Sequence, residues 1–265
     1  MCIFVYYYNM EEINKLTWTF SPTTNKMGQS RHKNDLKHIV CYKSDLFAEP
    51  TIITSDLYSH TQAVFDKFQD TTNLDLSQYH LITAGDMAGN LTFGADGNPT
   101  DFYTRIQSKV KSFTIIQGNH DLPPEHSQID FNKNHLLGNG KIKETVLGRI
   151  GGVNGIISNK SHPYKMSETS YLNHMSKLVK SNIDILVTHD TPRFFFESNE
   201  FIGKDCIYEK VLQIKPKIYI YGHCHHHKVY TVHKGIHFIN VDARVIIINP
   251  QDNLNFEDEE YRYIY

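Results

Sequence analysis

Short runs of β-branched and other apolar residues punctuate the chain, and each stops abruptly at polar residues. From residue 51 onward they are Thr51-Ile52-Ile53-Thr54, His80-Leu81-Ile82-Thr83, Phe113-Thr114-Ile115-Ile116, Ile183-Asp184-Ile185-Leu186-Val187 and Ile218-Tyr219-Ile220-Tyr221. Runs this short and apolar on both faces predict strands buried on both sides. Helical patterns lie between them. Ala63, Val64, Phe65 and Phe68 fall at near-helical spacing, and a further candidate lies around Phe102–Val110. Ser167 to Leu178 reads as a helix with Ser167 as N-cap, and Cys206 to Ile214 as one stopped by Pro216. Arg149-Ile150 and Val153 to Ile157 bracket a glycine-rich strand. The stretch from Val229 to Ile248 alternates like a β meander, with turns at Lys234-Gly235 and near Asp242.

Strands interleaved with helices predict an α/β layered domain. Residues 1–50 carry a weaker pattern, with Ile39-Val40-Cys41-Tyr42 as a short strand and Ser21 to Asp35 as a loop. The expected organisation is an N-terminal extension over 1–50, one domain over 51–250 and an acidic and aromatic tail over 251–265. Glu257-Asp258-Glu259-Glu260 reads as solvated. There is no internal repeat.

Composition narrows the picture modestly. A chain of 265 residues with 40% apolar and 21% charged residues is ordinary for a globular protein. A net charge of −2 gives no overall basic footprint for nucleic acid. The four cysteines are scattered without a C-x-x-C pair, which favours a reducing compartment over a disulfide framework. No apolar stretch approaches the roughly 20 residues of a membrane helix, and Met1 to Tyr8 lacks the features of a signal peptide. A cytoplasmic location is the default expectation. The unusual feature is 16 histidines, the commonest metal-ligand and acid–base residue.

The polar residues that end the five strands matter most. They are Ser55-Asp56, Gly85-Asp86, Gly118-Asn119-His120-Asp121, Thr188-His189-Asp190 and Gly222-His223-Cys224-His225. The carboxyl ends of parallel strands share one edge, where ligands bind, so residues distant in sequence converge there. Gly-Asp or a lone histidine is as well explained by a turn. Gly-Asn-His-Asp and Gly-His-x-His are more specific, since a turn has no use for His-Asp and alternate extended residues face one way. The order of all five is the signal.

That set resembles the signature of the calcineurin-like metallophosphoesterase superfamily over about residues 51–250. The resemblance implies two packed mixed β-sheets flanked by helices, a four-layer sandwich. It implies two divalent metal ions, with Asp86 bridging them. Asn119, His189 and His223 would complete the second site, and Asp56 and His225 would belong to the first. His120 would face the substrate phosphate and protonate or stabilise the leaving oxygen, and Asp121 would orient it. Two cations about 3.5–4 Å apart can activate a water and clamp both oxygens of an in-line displacement. Carboxylates and imidazoles suit Mn, Fe and Zn alike, so ligand type leaves the metal open.

One position departs from the pattern. Where the family has Asp-x-His, this chain has Asp56-Leu57-Tyr58. Three readings remain open: Tyr58 as a phenolate ligand, His60 as a replacement ligand, or a first site weak in protein ligands. The last is favoured. The expected activity is hydrolysis of a phosphate ester, a diester rather than a monoester, on a nucleotide or RNA among other candidates. Ile150 to Ile156 and Ile183 to Pro192 also resemble stretches of RNA lariat-debranching enzymes, which makes a debranching nuclease one alternative. A non-catalytic scaffold is the other. Phe194-Phe195-Phe196 is an aromatic run suited to packing, and the lack of a Gly-x-Gly-x-x-Gly or P-loop pattern argues against a nucleotide cofactor.

Overall fold

A computed structural model describes residues 10–20, 35–72, 74–88, 96–125, 128–130, 134–193, 202–224, 226, 228–249 and 263–264. In chain order the elements begin with β1 (Glu11–Phe20), β2 (Asp35–Lys43), β3 (Thr51–Ser55), α1 (Thr61–Thr72), β4 (His80–Ala84), α2 (Thr100–Gln107), β5 (Ser112–Ile116) and β6 (Asn134–Leu136). There follow β7 (Lys141–Thr145), β8 (Gly148–Val153), β9 (Ile156–Ile157), β10 (Lys165–Met166), α3 (Glu168–Ser176), β11 (Ile185–Thr188) and α4 (Asp205–Ile214). The last are β12 (Ile218–Tyr221), β13 (Tyr230–His233), β14 (Ile236–Asn240), β15 (Arg244–Asn249) and β16 (Tyr263–Ile264).

Eight strands form one mixed sheet in the order β16-β1-β2-β15-β3-β4-β5-β6, and six form a second in the order β13-β14-β12-β11-β8-β7. Period-two alternation explains how the two sheets stack. In β3, Ile52 faces one cluster with Val64, Phe65 and Phe68 of α1, while Ile53 faces another with Ile185 and Ile218 of the second sheet. Leu81 and Ile82 of β4 divide in the same way. In the second sheet Ile218 and Ile220 face inward, and Tyr219 faces Tyr171 of α3 and Val211 of α4. Both faces of each central strand are thus buried, and the layers run helix, sheet, sheet, helix. This is the expected four-layer arrangement.

Local chemistry ends the helices where anticipated. Ser167 caps α3, its hydroxyl accepting from Ser170 N at 3.3 Å. Helix α4 stops at Lys215, which takes a left-handed φ of 55°, one residue before Pro216. The expected meander is corrected. β13 and β14 form an antiparallel hairpin, but the turn near Asp242 carries the chain into the other sheet, where β15 pairs antiparallel with β3 and parallel with β2. Alternation in sequence is the same whichever sheet receives a strand, so the crossing left no trace there. β1 and β2 extend the first sheet, with β2 reaching beyond the anticipated Ile39–Tyr42. Among the described residues no helix is long and apolar enough to cross a membrane. The expected loop at 21–34, Phe194-Phe195-Phe196 and the acidic run Glu257 to Glu260 lie outside the described residues.

Candidate metal centre

Strands β3, β4 and β5 are mutually parallel, as are β8, β11, β12 and β14. Their carboxyl ends meet at one edge between the sheets. Asp56 N donates to Gly85 O at 3.0 Å, Tyr58 N to Asp86 O at 3.0 Å, and Gly222 N to His189 O at 3.2 Å. The residues that leave these strands turn sharply. Asp56, Asp86 and His223 hold φ values of 58°, 52° and 66°, in the left-handed region that non-glycine residues seldom occupy. Conformations of this kind persist where the surroundings over-determine them, and they cluster at functional sites. Gly118 permits a close approach. A Cβ there would lie 2.1 Å from Asp86 Oδ1.

Among the described residues, Asp86, His189 and His223 present ligand atoms within 4.8 Å of one another. His189 is wholly buried, and its Nδ1 lies 2.7 Å from Ala84 O, so Nδ1 carries the proton. Its Nε2 then faces two oxygens, Asn119 Oδ1 at 3.2 Å and Asp86 Oδ2 at 3.2 Å. A neutral imidazole would point a lone pair at two acceptors. A second proton or a cation on Nε2 resolves that arrangement. The donor set of one carboxylate, one amide oxygen and two imidazoles fits a divalent transition metal.

The electrostatics agree. Burial alone would lower the His189 pKa, but Asp86 and Asp56 outweigh it and lift it to about 10. Burial opposes ionisation of Asp86, yet the charge and hydrogen bonding of His189 hold its carboxyl at about 2. Burial, helped by His189, pushes His223 down to about 3. Asp86 Oδ1 also accepts from His120 N at 2.7 Å.

The first site is different. Asp56 Oδ2 accepts from Ser55 Oγ at 2.5 Å and from His223 N at 2.9 Å, while Oδ1 accepts from Tyr58 Oη at 3.2 Å. Burial, then repulsion from Asp242 in the turn after β14, raises its pKa to about 8. Burial and the negative charge of Asp56 push the Tyr58 phenol well above its ordinary value. Tyr58 is therefore a neutral donor to Asp56 in the place where a histidine ligand was expected. His60 ends a one-turn 3-10 helix, Tyr58–His60, and is not part of the Asp86–His189–His223 cluster. His225 lies outside the described residues.

His120 and Asp121 divide their labour unexpectedly. The Asp121 carboxylate accepts from Asp86 N at 2.9 Å, Ala88 N at 2.9 Å and Gly118 N at 2.8 Å. It fastens the Asp86 turn to the Gly118 turn rather than pairing with the His120 ring. The carboxylate beside that ring is Asp96, whose Oδ1 lies 3.4 Å from His120 Nδ1. Tyr58 flanks the same ring, edge-on, at 5.8 Å between centroids. Burial lowers the His120 pKa, opposed by Asp86. Sequence reasoning missed Asp96 and Asp242 as site residues, and named Ser55 only as the neighbour of Asp56. Ser55 directly precedes Asp56 and had a local signal. Asp96 and Asp242 carry none, because they reach the site from separate loops.

A family model for calcineurin-like phosphoesterases matches residues 49–227. No curated protein sequence matches the chain at a significant level. Among solved structures, TT1561 of Thermus thermophilus is similar with 13% identity and a TM-score of 0.51, covering 74% of this chain and 90% of that one. Another crystal structure has 12% identity and a TM-score of 0.51, covering 72% of this chain and 90% of that one. At such identities the likeness is one of fold. With the family match spanning most of the chain and the ligand cluster lying inside it, the chain belongs to the calcineurin-like phosphoesterase family, which implies metal-dependent hydrolysis of phosphate esters.

Proposed function

We propose that the chain hydrolyses a phosphodiester, with Asp86, Asn119, His189 and His223 holding one divalent ion firmly and Asp56, Asp86 and His225 holding a second more weakly. The observation that carries this reading is His189 Nε2 facing Asn119 Oδ1 and Asp86 Oδ2. Mn, Fe and Zn all suit that donor set. When bound, the ions supply Lewis-acid charge and a water acidic enough to attack phosphorus.

The protein's own residues do the rest. Asp121 ties the Asp86 and Gly118 turns together, so Asn119 and His120 keep a fixed position relative to Asp86. Ser55 and His223 N hold Asp56. His120 donates to the leaving oxygen, offsetting charge that develops as the ester bond breaks. The preference for a diester over a monoester rests on analogy within the family.

The test compares bis(4-nitrophenyl) phosphate with 4-nitrophenyl phosphate under added Mn²⁺, with metal content measured alongside. The expected result is preferential diester hydrolysis, with His120→Ala lowering kcat by roughly 10²-fold or more on a diester that releases a simple alcohol. Asp86→Asn should lose both metal and activity. A metal-loaded wild type as inert as both variants would instead support a non-catalytic scaffold and end the enzyme reading.

A further inference from the structure

Two segments outside the family motifs are fastened to the stretch that carries Asn119 and His120. Gly97 N donates to His120 O at 2.9 Å and Leu122 N to Gly97 O at 2.7 Å, a short parallel bridge that places Asp96 beside the His120 ring. From the other sheet, Gly155 N donates to Gln117 O at 2.7 Å, and Ile156 N to Tyr164 O at 2.9 Å. These bonds fix the excursion between β9 and β10. Gly155 is demanded there, since its φ is +65° and a Cβ would lie 1.8 Å from Tyr164 O.

His162 sits on that excursion. Its Nδ1 accepts from Tyr164 N at 3.4 Å, so its proton is on Nε2, which lies 3.2 Å from Asp96 Oδ2. Asp96 Oδ1 in turn lies 3.4 Å from His120 Nδ1. One carboxylate therefore spans two imidazoles from separate loops. Both are ion-pair distances rather than aligned hydrogen bonds, and His120 Nδ1 and His162 Nε2 have no hydrogen-bond partner among the described residues. Such alignment commonly tightens only when substrate binds.

We propose that Asp96 and His162 are positioning residues for His120. Asp96 commits the His120 Nδ1–H and leaves Nε2 as the nitrogen presented to the leaving oxygen, while His162 stops Asp96 from rotating away. Which ring nitrogen of a histidine carries chemistry is set by the hydrogen bond the other makes. His120 enters the step as the imidazolium, with the Asp96 carboxylate as its counter-charge. As the ester P–O bond breaks, its electron pair passes to the leaving oxygen and the Nε2 proton moves there. The imidazole is left neutral, with Nδ1–H still on Asp96. The proposal rests on the reading of His120 as the donor to the leaving oxygen.

The test uses full-length, metal-loaded protein and two diesters, one releasing 4-nitrophenol and one a simple alcohol. A group that helps the leaving oxygen matters far more for the alcohol, a poor leaving group. Asp96→Ala is expected to lower kcat on the alkyl ester by about 10–100-fold and on the aryl ester by less than about threefold, with KM little changed. His162→Ala should show the same pattern, roughly tenfold on the alkyl ester. Asp96 is 36% exposed, so its loss should not unfold the protein. In ¹⁵N spectra of metal-free protein, His120 should be protonated at Nδ1 in the wild type and lose that preference in Asp96→Ala. Equal losses on both esters, or none, would overturn the proposal. If His120→Ala shows the leaving-group dependence and Asp96→Ala does not, the positioning role fails alone. If His120→Ala also lacks it, the reading of His120 fails and takes the proposal with it.

Discussion

Filling the metal centre should expel a countable number of protons, because the empty site holds them where cations belong. Ligands must be deprotonated to bind, so each protonated ligand becomes a released proton. At pH 7 His189, with a pKa of about 10, is almost fully protonated, whereas Asp86 at about 2 and His223 at about 3 are already free of theirs. Loading Asp86, Asn119, His189 and His223 therefore releases about one proton. Asp56, raised to about 8, is mostly protonated at pH 7, so filling the first site releases up to about one more. The assay is calorimetric titration of Mn²⁺ into metal-free protein in buffers of different ionisation enthalpy, where the slope of observed against buffer enthalpy counts protons. A slope near one means only the firm site fills, and one near two means both. His189→Gln isolates the first proton by difference. A slope near zero at pH 7, or one that His189→Gln leaves unchanged, would refute the account of His189 as a proton-occupied ligand.

Two further outcomes follow from the same geometry. Tyr58→His restores the histidine of the family's Asp-x-His and removes a donor from Asp56 Oδ1, so metal stoichiometry measured by atomic emission should rise toward two per chain. No change would mean that other ligands limit the first site. Stability of the metal-free protein should also fall with rising pH. Asp56 and His189 have folded pKa values above their usual 3.8 and 6.5. The folded state thus holds protons that the unfolded chain sheds, and the stability they confer is lost as pH rises toward about 8 and about 10 respectively. His223, lowered to about 3, works the other way, but only below about pH 6.5. Between pH 6.5 and 8 the first two act together, and metal-free protein should lose on the order of 1–3 kcal/mol in denaturant titrations. Saturating metal should flatten the slope. A metal-free profile that rises across this window would contradict the assigned shifts.

The chain's apolar runs made the strands legible because both faces of each are buried, which leaves a plain signal in composition. β7 was not legible. Lys141-Ile142-Lys143-Glu144-Thr145 is a largely exposed edge strand, defined by its pairing with β8 rather than by its own pattern. The motif residues Asp56, Asp86, Asn119, His120, His189 and His223 were legible because strand ends deliver them to a shared edge, so order along the chain stands in for proximity.

What the sequence determined by itself was the layered α/β fold and the identity of most ligand candidates, since hydrophobic periodicity and strand-end chemistry are local properties. Only the tertiary structure decided how those candidates are used. It put Asp121 under the backbone of two turns, set Asp96 beside the His120 ring, and set Asp242 against Asp56 from a turn that changes sheets. Each of these pairings joins residues from different loops. Their meeting depends on how sheets stack and where strands cross, which no local pattern encodes.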